Sequence, residues 1–169
     1  ILGHEVAGTV IAGPMAGQRV TINPLVTCGT CRFCRAGRDN LCTTRQIISM
    51  PPREGGFAEY LAIPARNLVA IPDSISSQQA SLAEPLACGW HAVRLGAAAL
   101  DLPLDQARCL VIGGGAIGLG AALVLRAMGA GHISLSEPSP FDAPLQPRKM
   151  ESRRWTRASP YSKMWIWSL

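Results

Sequence analysis

Lysine is nearly missing from this 169-residue chain: there are two, Lys149 and Lys163, and both lie beyond residue 137. The same tail holds three of the four tryptophans yet has no Gly and no Val, so composition changes abruptly near residue 138 and marks a boundary. Charge is also sparse, at 16% of residues, and the net +5 is unevenly placed. Residues 138–169 carry six Lys or Arg against Asp142 and Glu151, a net +4, whereas residues 1–137 carry ten against nine, a net +1. A nearly neutral body argues against a nucleic-acid partner, because such binding needs a sustained basic surface. Long apolar runs are missing as well. The most apolar stretch, 109–131, is broken by seven glycines and Arg126, which excludes a membrane span. No secretory-leader pattern stands at the start of the sequence, which opens on Ile1 rather than Met. The expectation is a cytoplasmic chain cut from a longer one.

What is present falls into three parts. Residues 5–12 (EVAGTVIA) and 19–26 (RVTINPLV) are β-branched runs separated by a Gly/Pro turn, and 55–63 (GGFAEYLAI) alternates as a third strand-like run. From Ser74 the chain turns Ala- and Leu-rich, a helical stretch expected to be interrupted at Pro85. CLVIGGGAIGLGAALVLRAMGAGHISLSE then reads as strand, glycine turn, helix and second strand, a single β-α-β unit.

The most specific chemical pattern is TCGTCRFCRAGRDNLC, which places Cys28, Cys31, Cys34 and Cys42 in a C-x2-C-x2-C-x7-C array. Zinc takes four soft ligands in a tetrahedron, and two-residue spacers let neighbouring thiolates converge on one ion. Four thiolates leave no open coordination position, so the expected role is structural: to tie down a lobe without a core of its own. Paired disulfides, free thiols and an iron–sulfur cluster are the alternatives.

Gly113, Gly115 and Gly118 form G-x-G-x-x-G between a strand-like run and a helix, a context that suits a dinucleotide pyrophosphate seated on a helix N-terminus. Glu137 ends the next strand-like run. An acid there accepts hydrogen bonds from the adenosine ribose hydroxyls and repels a 2′-phosphate, which favours NAD over NADP; a solvated charge at a strand end is the plainer reading. His4, Glu5 and Glu84 are candidate ligands for a second metal, but each alone reads equally well as an ordinary structural residue. His91 has the same plain reading, and Cys88 and Cys109 are expected to act as small buried hydrophobes.

Taken in order, GHE, the four cysteines, GGFAEY, EPLA and GxGxxG resemble the zinc-dependent medium-chain alcohol dehydrogenases. Within that family the Glu of EPLA, where the simple alcohol dehydrogenases have a Cys, resembles the sorbitol, threonine and sugar-acid (idonate-like) branch. The resemblance runs from Ile1 to about Glu137. It implies an α/β plus β architecture. A partial GroES-like catalytic domain would occupy residues 1–80, with the structural zinc lobe at 28–42. The start of a Rossmann nucleotide-binding domain would occupy 81–137, and an irregular tail 138–169.

By the same resemblance His4, Glu5 and Glu84 serve a catalytic zinc, Cys28, Cys31, Cys34 and Cys42 a structural zinc, and Gly113, Gly115, Gly118 and Glu137 the cofactor. The implied reaction passes hydride from a small alcohol, polyol or sugar acid to NAD, and full-length members form homo-oligomers. A threonine or simple alcohol dehydrogenase on the same scaffold is one alternative, and a zinc-stabilised binding module with a basic tail is another. Two departures qualify the likeness. The family's further zinc-binding Cys lies upstream of GHE, before Ile1, and residues after Glu137 lose the family pattern. The expectation is therefore a truncated chain without activity of its own, with a tail that is disordered and arises from a frameshift or gene boundary near Pro140.

Overall fold

The computed structural model describes residues 1–137 and, further on, the backbone strand Trp165–Ser168. The chain divides into two compact units, Ile1–Glu84 and Pro85–Leu169.

The first unit is built on an antiparallel sheet in which β2 (Arg19–Ile22) lies between β1 (Ala7–Thr9) and β5 (Leu68–Ala70), with Thr21 opposite both Ala7 and Val69. Val20 and Ile22 alternate with Arg19 and Thr21, so one face of β2 is buried and the other is not, as the two-residue period of a strand requires. The β1–β2 connection turns at Gly13 and Gly17, both at positive φ. After Ile22 the sheet stops because Pro24 has no N–H to donate, and the Asn23 side-chain oxygen accepts the Leu25 N–H to shape the break. The chain resumes as β3 (Leu25–Val26), which pairs antiparallel with β4 (Gln46–Ile47). Everything between these two short strands, including all four clustered cysteines, is one excursion closed at its base by the β3–β4 pair. A one-turn helix α1 (Arg32–Arg35) lies within it.

Beyond the division of the expected 19–26 run at Pro24, two further sequence expectations fail in this unit. Residues 55–63 are not a ladder strand: Gly55, Gly56 and Phe57 donate to the carbonyls of Ile1, Gly3 and Leu2 at 2.8–2.9 Å, then the segment bends away. Its alternation comes from packing beside the N-terminal segment, where a Cβ on Gly56 would collide with Val6. The helical stretch breaks at Ser81–Leu82 rather than at Pro85. Helix α2 (Ser77–Ala80) opens with a capping box in which Ser76 and Gln79 bond each other's backbone N–H, and α3 runs from Ala83 to Ala98. Pro85 falls in the first turn of α3, where its missing N–H has no intrahelical partner to lose.

In the second unit β6 (Arg108–Ile112) and β7 (His132–Glu137) are parallel neighbours joined by helix α4 (Ala116–Ala127), the expected β-α-β unit. Its core gathers Val93 of α3, Ala122, Val124 and Leu125 of α4, and Ile133 and Leu135 of β7. Gly89 is what lets α3 approach α4, since a Cβ there would come within 2.7 Å of the Ala121 nitrogen. Cys109 packs on this core half-buried, but Cys88 is exposed on α3, against the expectation that both are buried. Strand β8 (Trp165–Ser168) adds antiparallel to the other side of β7; the sequence gives no hint of this pairing. The rest of the tail, for which disorder was expected, lies outside the described residues. Among the described residues no helix is long and apolar enough to cross a membrane.

Candidate functional site

The excursion between β3 and β4 folds so that the Sγ atoms of Cys28, Cys31, Cys34 and Cys42 all lie within 4.8 Å of one another. Cys31 to Cys34 is 3.5 Å, Cys42 to Cys28 is 3.6 Å and Cys28 to Cys34 is 3.9 Å. Four sulfurs about 2.3 Å from one zinc at tetrahedral angles sit about 3.8 Å apart. The thiols therefore fit a single tetrahedral ion. No two are at disulfide-bonding distance, and sulfurs this close leave no room for the iron and sulfide of a cluster. From Cys28 to Arg45 only Cys42 is buried, so the lobe has no apolar core of its own.

Backbone N–H groups already converge on these sulfurs. Thr30 and Cys31 donate to Cys28 Sγ at 3.5 and 3.3 Å, and Cys28 N–H donates to Cys42 Sγ at 3.5 Å. The Thr30 and Cys31 amides hold the Cys28 thiol down to about 5. The Cys28 amide lowers that of Cys42, and burial, followed by the adjacent Cys31 thiol, pushes Cys34 up to about 12. The four sulfurs thus mix thiolate and thiol character, and an ion binding there would displace protons.

A second cluster forms where His4 and Glu5, near the start of the chain, meet Glu84 in the first turn of α3. Their ligand atoms lie within 4.8 Å of one another, with Glu5 exposed and the other two half-buried. Glycine and hydrogen bonding explain the placement. Gly3 takes φ +97° against the Phe57 ring, its N–H bonds Ser49 Oγ at 2.9 Å, and the 55–57 segment pins residues 1–3. One imidazole and two carboxylates suit a borderline divalent ion such as zinc.

The glycine turn follows β6. Gly113 has φ +97° and donates its N–H to Ser136 O at 2.8 Å, which makes the tight turn. A Cβ on Gly115 would meet open space, whereas one on Gly118 would run into the Gly113 carbonyl. One glycine makes the turn, one leaves the approach clear and one permits helix–strand contact, the division of labour a dinucleotide turn requires. Glu137, at the end of β7, is buried and accepts the Gly114 N–H at 2.7 Å. The sequence reading missed Arg66 and Asn67, which bind the backbone leading into the cysteine loop. They lie some forty residues from their partners, and no local pattern marks them.

A β-rich unit with a four-thiol lobe, preceding a β-α-β unit with this glycine turn, defines a nucleotide-dependent dehydrogenase architecture. Residues 1–73 match the alcohol dehydrogenase GroES-like domain. The chain is 38% identical over 165 residues to an L-threonine 3-dehydrogenase of Shewanella baltica, covering 94% of this chain and 46% of that protein, so the alignment passes Glu137. It is 40% identical over 146 residues to L-galactonate-5-dehydrogenase of Escherichia coli, covering 83% and 41%. Its fold matches galactitol-1-phosphate dehydrogenase of Escherichia coli with a TM-score of 0.74 at 30% identity, covering 83% and 41%. Solved neighbours include complexes with NADH and with NADP. These likenesses are to the medium-chain alcohol dehydrogenases that the motifs led one to expect. The chain spans less than half the length of these relatives.

Proposed function

We propose that this chain serves a zinc-dependent oxidoreductase that moves a hydride from the CH–OH carbon of a polyol or sugar acid to NAD. The observation that carries the reading is the convergence of His4, Glu5 and Glu84, brought from opposite ends of one unit to within 4.8 Å. Zinc bound there supplies Lewis acidity to a substrate hydroxyl. His4 offers a neutral imidazole nitrogen, and Glu5 and Glu84 offset the charge of the ion. Cys28, Cys31, Cys34 and Cys42 hold a structural ion. Gly113, Gly115 and Gly118 admit the pyrophosphate, and the Glu137 carboxylate favours the unphosphorylated ribose of NAD over that of NADP.

A second reading, oxidation of a hydroxy amino acid, draws support from the 38% identity to an L-threonine 3-dehydrogenase over 94% of this chain. Metal analysis tests the core of the proposal. The chain saturated with zinc and desalted should hold about two ions, and His4→Ala with Glu84→Ala should hold about one. A wild-type value of one, unchanged by these substitutions, sinks the second site. Reduction of NAD or NADP with polyols, sugar acids or threonine then separates the substrate and cofactor readings.

A further inference from the structure

Arg66 and Cys42 belong to different segments, yet one peptide group links them. The Arg66 guanidinium donates to the carbonyl oxygen of Thr27. The N–H of that same peptide unit belongs to Cys28 and donates to Cys42 Sγ at 3.5 Å. A cation on the oxygen end of a peptide polarises it, which makes the N–H a stronger donor at the other end. The acceptor belongs to Cys42, which is fully buried while the other three cysteines are partly exposed, so little water is at hand to share its negative charge. Thr27 is itself buried.

The placement of Arg66 is built rather than incidental. A 3-10 turn over Ala65–Asn67 carries it, closed by Asn67 N–H to Pro64 O at 2.9 Å. The buried Asn67 amide fixes that turn to the strand entering the loop, donating to Asn23 O at 2.8 Å and Leu25 O at 2.9 Å. Arg45 makes a useful contrast. It also donates to a carbonyl beside a ligand, that of Cys42 at 3.3 Å, but on the peptide that follows the thiol.

We propose that Arg66 is a positioning residue for the four-thiolate metal site, stabilising the Cys42 thiolate through the Thr27–Cys28 peptide and so slowing loss of the ion. The proposal rests on the reading of the four cysteines as a metal site. A divalent ion with four thiolates carries two net negative charges, and a fixed cation one peptide away offsets part of them. Arg66 is exposed, so its effect is expected at the lower end of the range for groups behind the ligands, about tenfold in metal retention.

The test uses the whole 169-residue chain loaded with zinc, and separately with cobalt(II), as wild type, Arg66→Gln, Arg66→Lys and Arg45→Gln. Zinc release to a chelator should be about tenfold faster for Arg66→Gln, largely restored in Arg66→Lys, and near wild type in Arg45→Gln. The thiolate-to-cobalt absorption should shift to longer wavelength in Arg66→Gln, because a less stabilised sulfur gives up charge more easily; a merely structural role leaves the band in place. Equal release rates and an unmoved band overturn the proposal while leaving the metal site intact. Failure of the wild type to retain one ion in the cysteine lobe overturns the metal reading and the proposal together.

Discussion

Glu137 and Gly114 face each other across the carboxyl ends of two parallel strands, the Glu137 carboxylate accepting the Gly114 N–H at 2.7 Å. With Gly113 N–H on Ser136 O at 2.8 Å, this fastens the glycine turn to the end of β7. The acid that is to select the ribose therefore also shapes the loop that is to receive the pyrophosphate. Glu137→Gln keeps the shape and removes the charge. Losing a charge-assisted hydrogen bond of about 1.5–3 kcal/mol should weaken NADH binding roughly tenfold or more and shrink its preference over NADPH. Titration of both cofactors by fluorescence measures this; equal affinities in the wild type would remove Glu137 from cofactor choice.

Two glycines of one motif should behave in opposite ways. A Cβ on Gly118 runs into the Gly113 carbonyl, so Gly118→Ala must push backbone aside and should cost about 1–3 kcal/mol, lowering the melting temperature by several degrees. Gly115 has φ −68° and open space around its missing Cβ, so Gly115→Ala should leave stability within about 0.5 kcal/mol. Its defect should be in cofactor affinity alone, where the added methyl meets the pyrophosphate. Calorimetry of the two variants side by side, with cofactor titration, reads both effects; similar melting losses would contradict the packing.

The parts that were legible in the sequence are those whose chemistry is local. Cys28 to Cys42 and Gly113 to Gly118 each announce themselves within one loop, and the β6–α4–β7 unit has the apolar period of its elements. The placement of His4 beside Glu84 was suggested by family likeness alone, since nothing in either segment points to the other. Residues 55–63 misled because alternation signals a strand only when a neighbouring ladder exists, and here the segment pairs briefly with residues 1–3. Strand β3 falls inside the strand-like run 19–26, which Pro24 divides, whereas β4, two residues long, is too short to carry a period. The Arg66–Thr27 and Asn67–Leu25 contacts leave no trace, because a single long-range hydrogen bond imposes no pattern on either side.

Metal retention in the cysteine lobe should fall with acidity. Cys28 is held down to about 5 and Cys34 is pushed up to about 12, so at neutral pH the first favours the thiolate and the second the thiol. Binding must expel the Cys34 proton, which makes affinity rise with pH, and below about pH 5 protons compete for Cys28 as well. Zinc competition against a chelator between pH 6 and 8 should show tighter binding and proton release at the higher end. A flat profile would mean that the thiols are not the ligands. Cys42→Ser, which swaps the buried sulfur for a poor zinc ligand, should lose this ion and leave the His4 cluster loaded.

Asn67 offers the sharpest test of the polar clip beneath that lobe. It is 4% exposed, and its amide NH2 donates to both Asn23 O and Leu25 O. Asn67→Ala leaves two carbonyls short of a donor and should cost about 2–3 kcal/mol. Asn67→Asp is closer in shape, yet it should be worse: a carboxylate has no proton to give, and it would set a buried negative charge against two carbonyl oxygens. The expected order of melting temperature is therefore wild type, then Ala, then Asp. Should Asp prove the better tolerated of the two, the bonds to Asn23 O and Leu25 O are not what Asn67 contributes to stability. The support of β3, and with it the footing of the cysteine loop, would then have to come from other bonds.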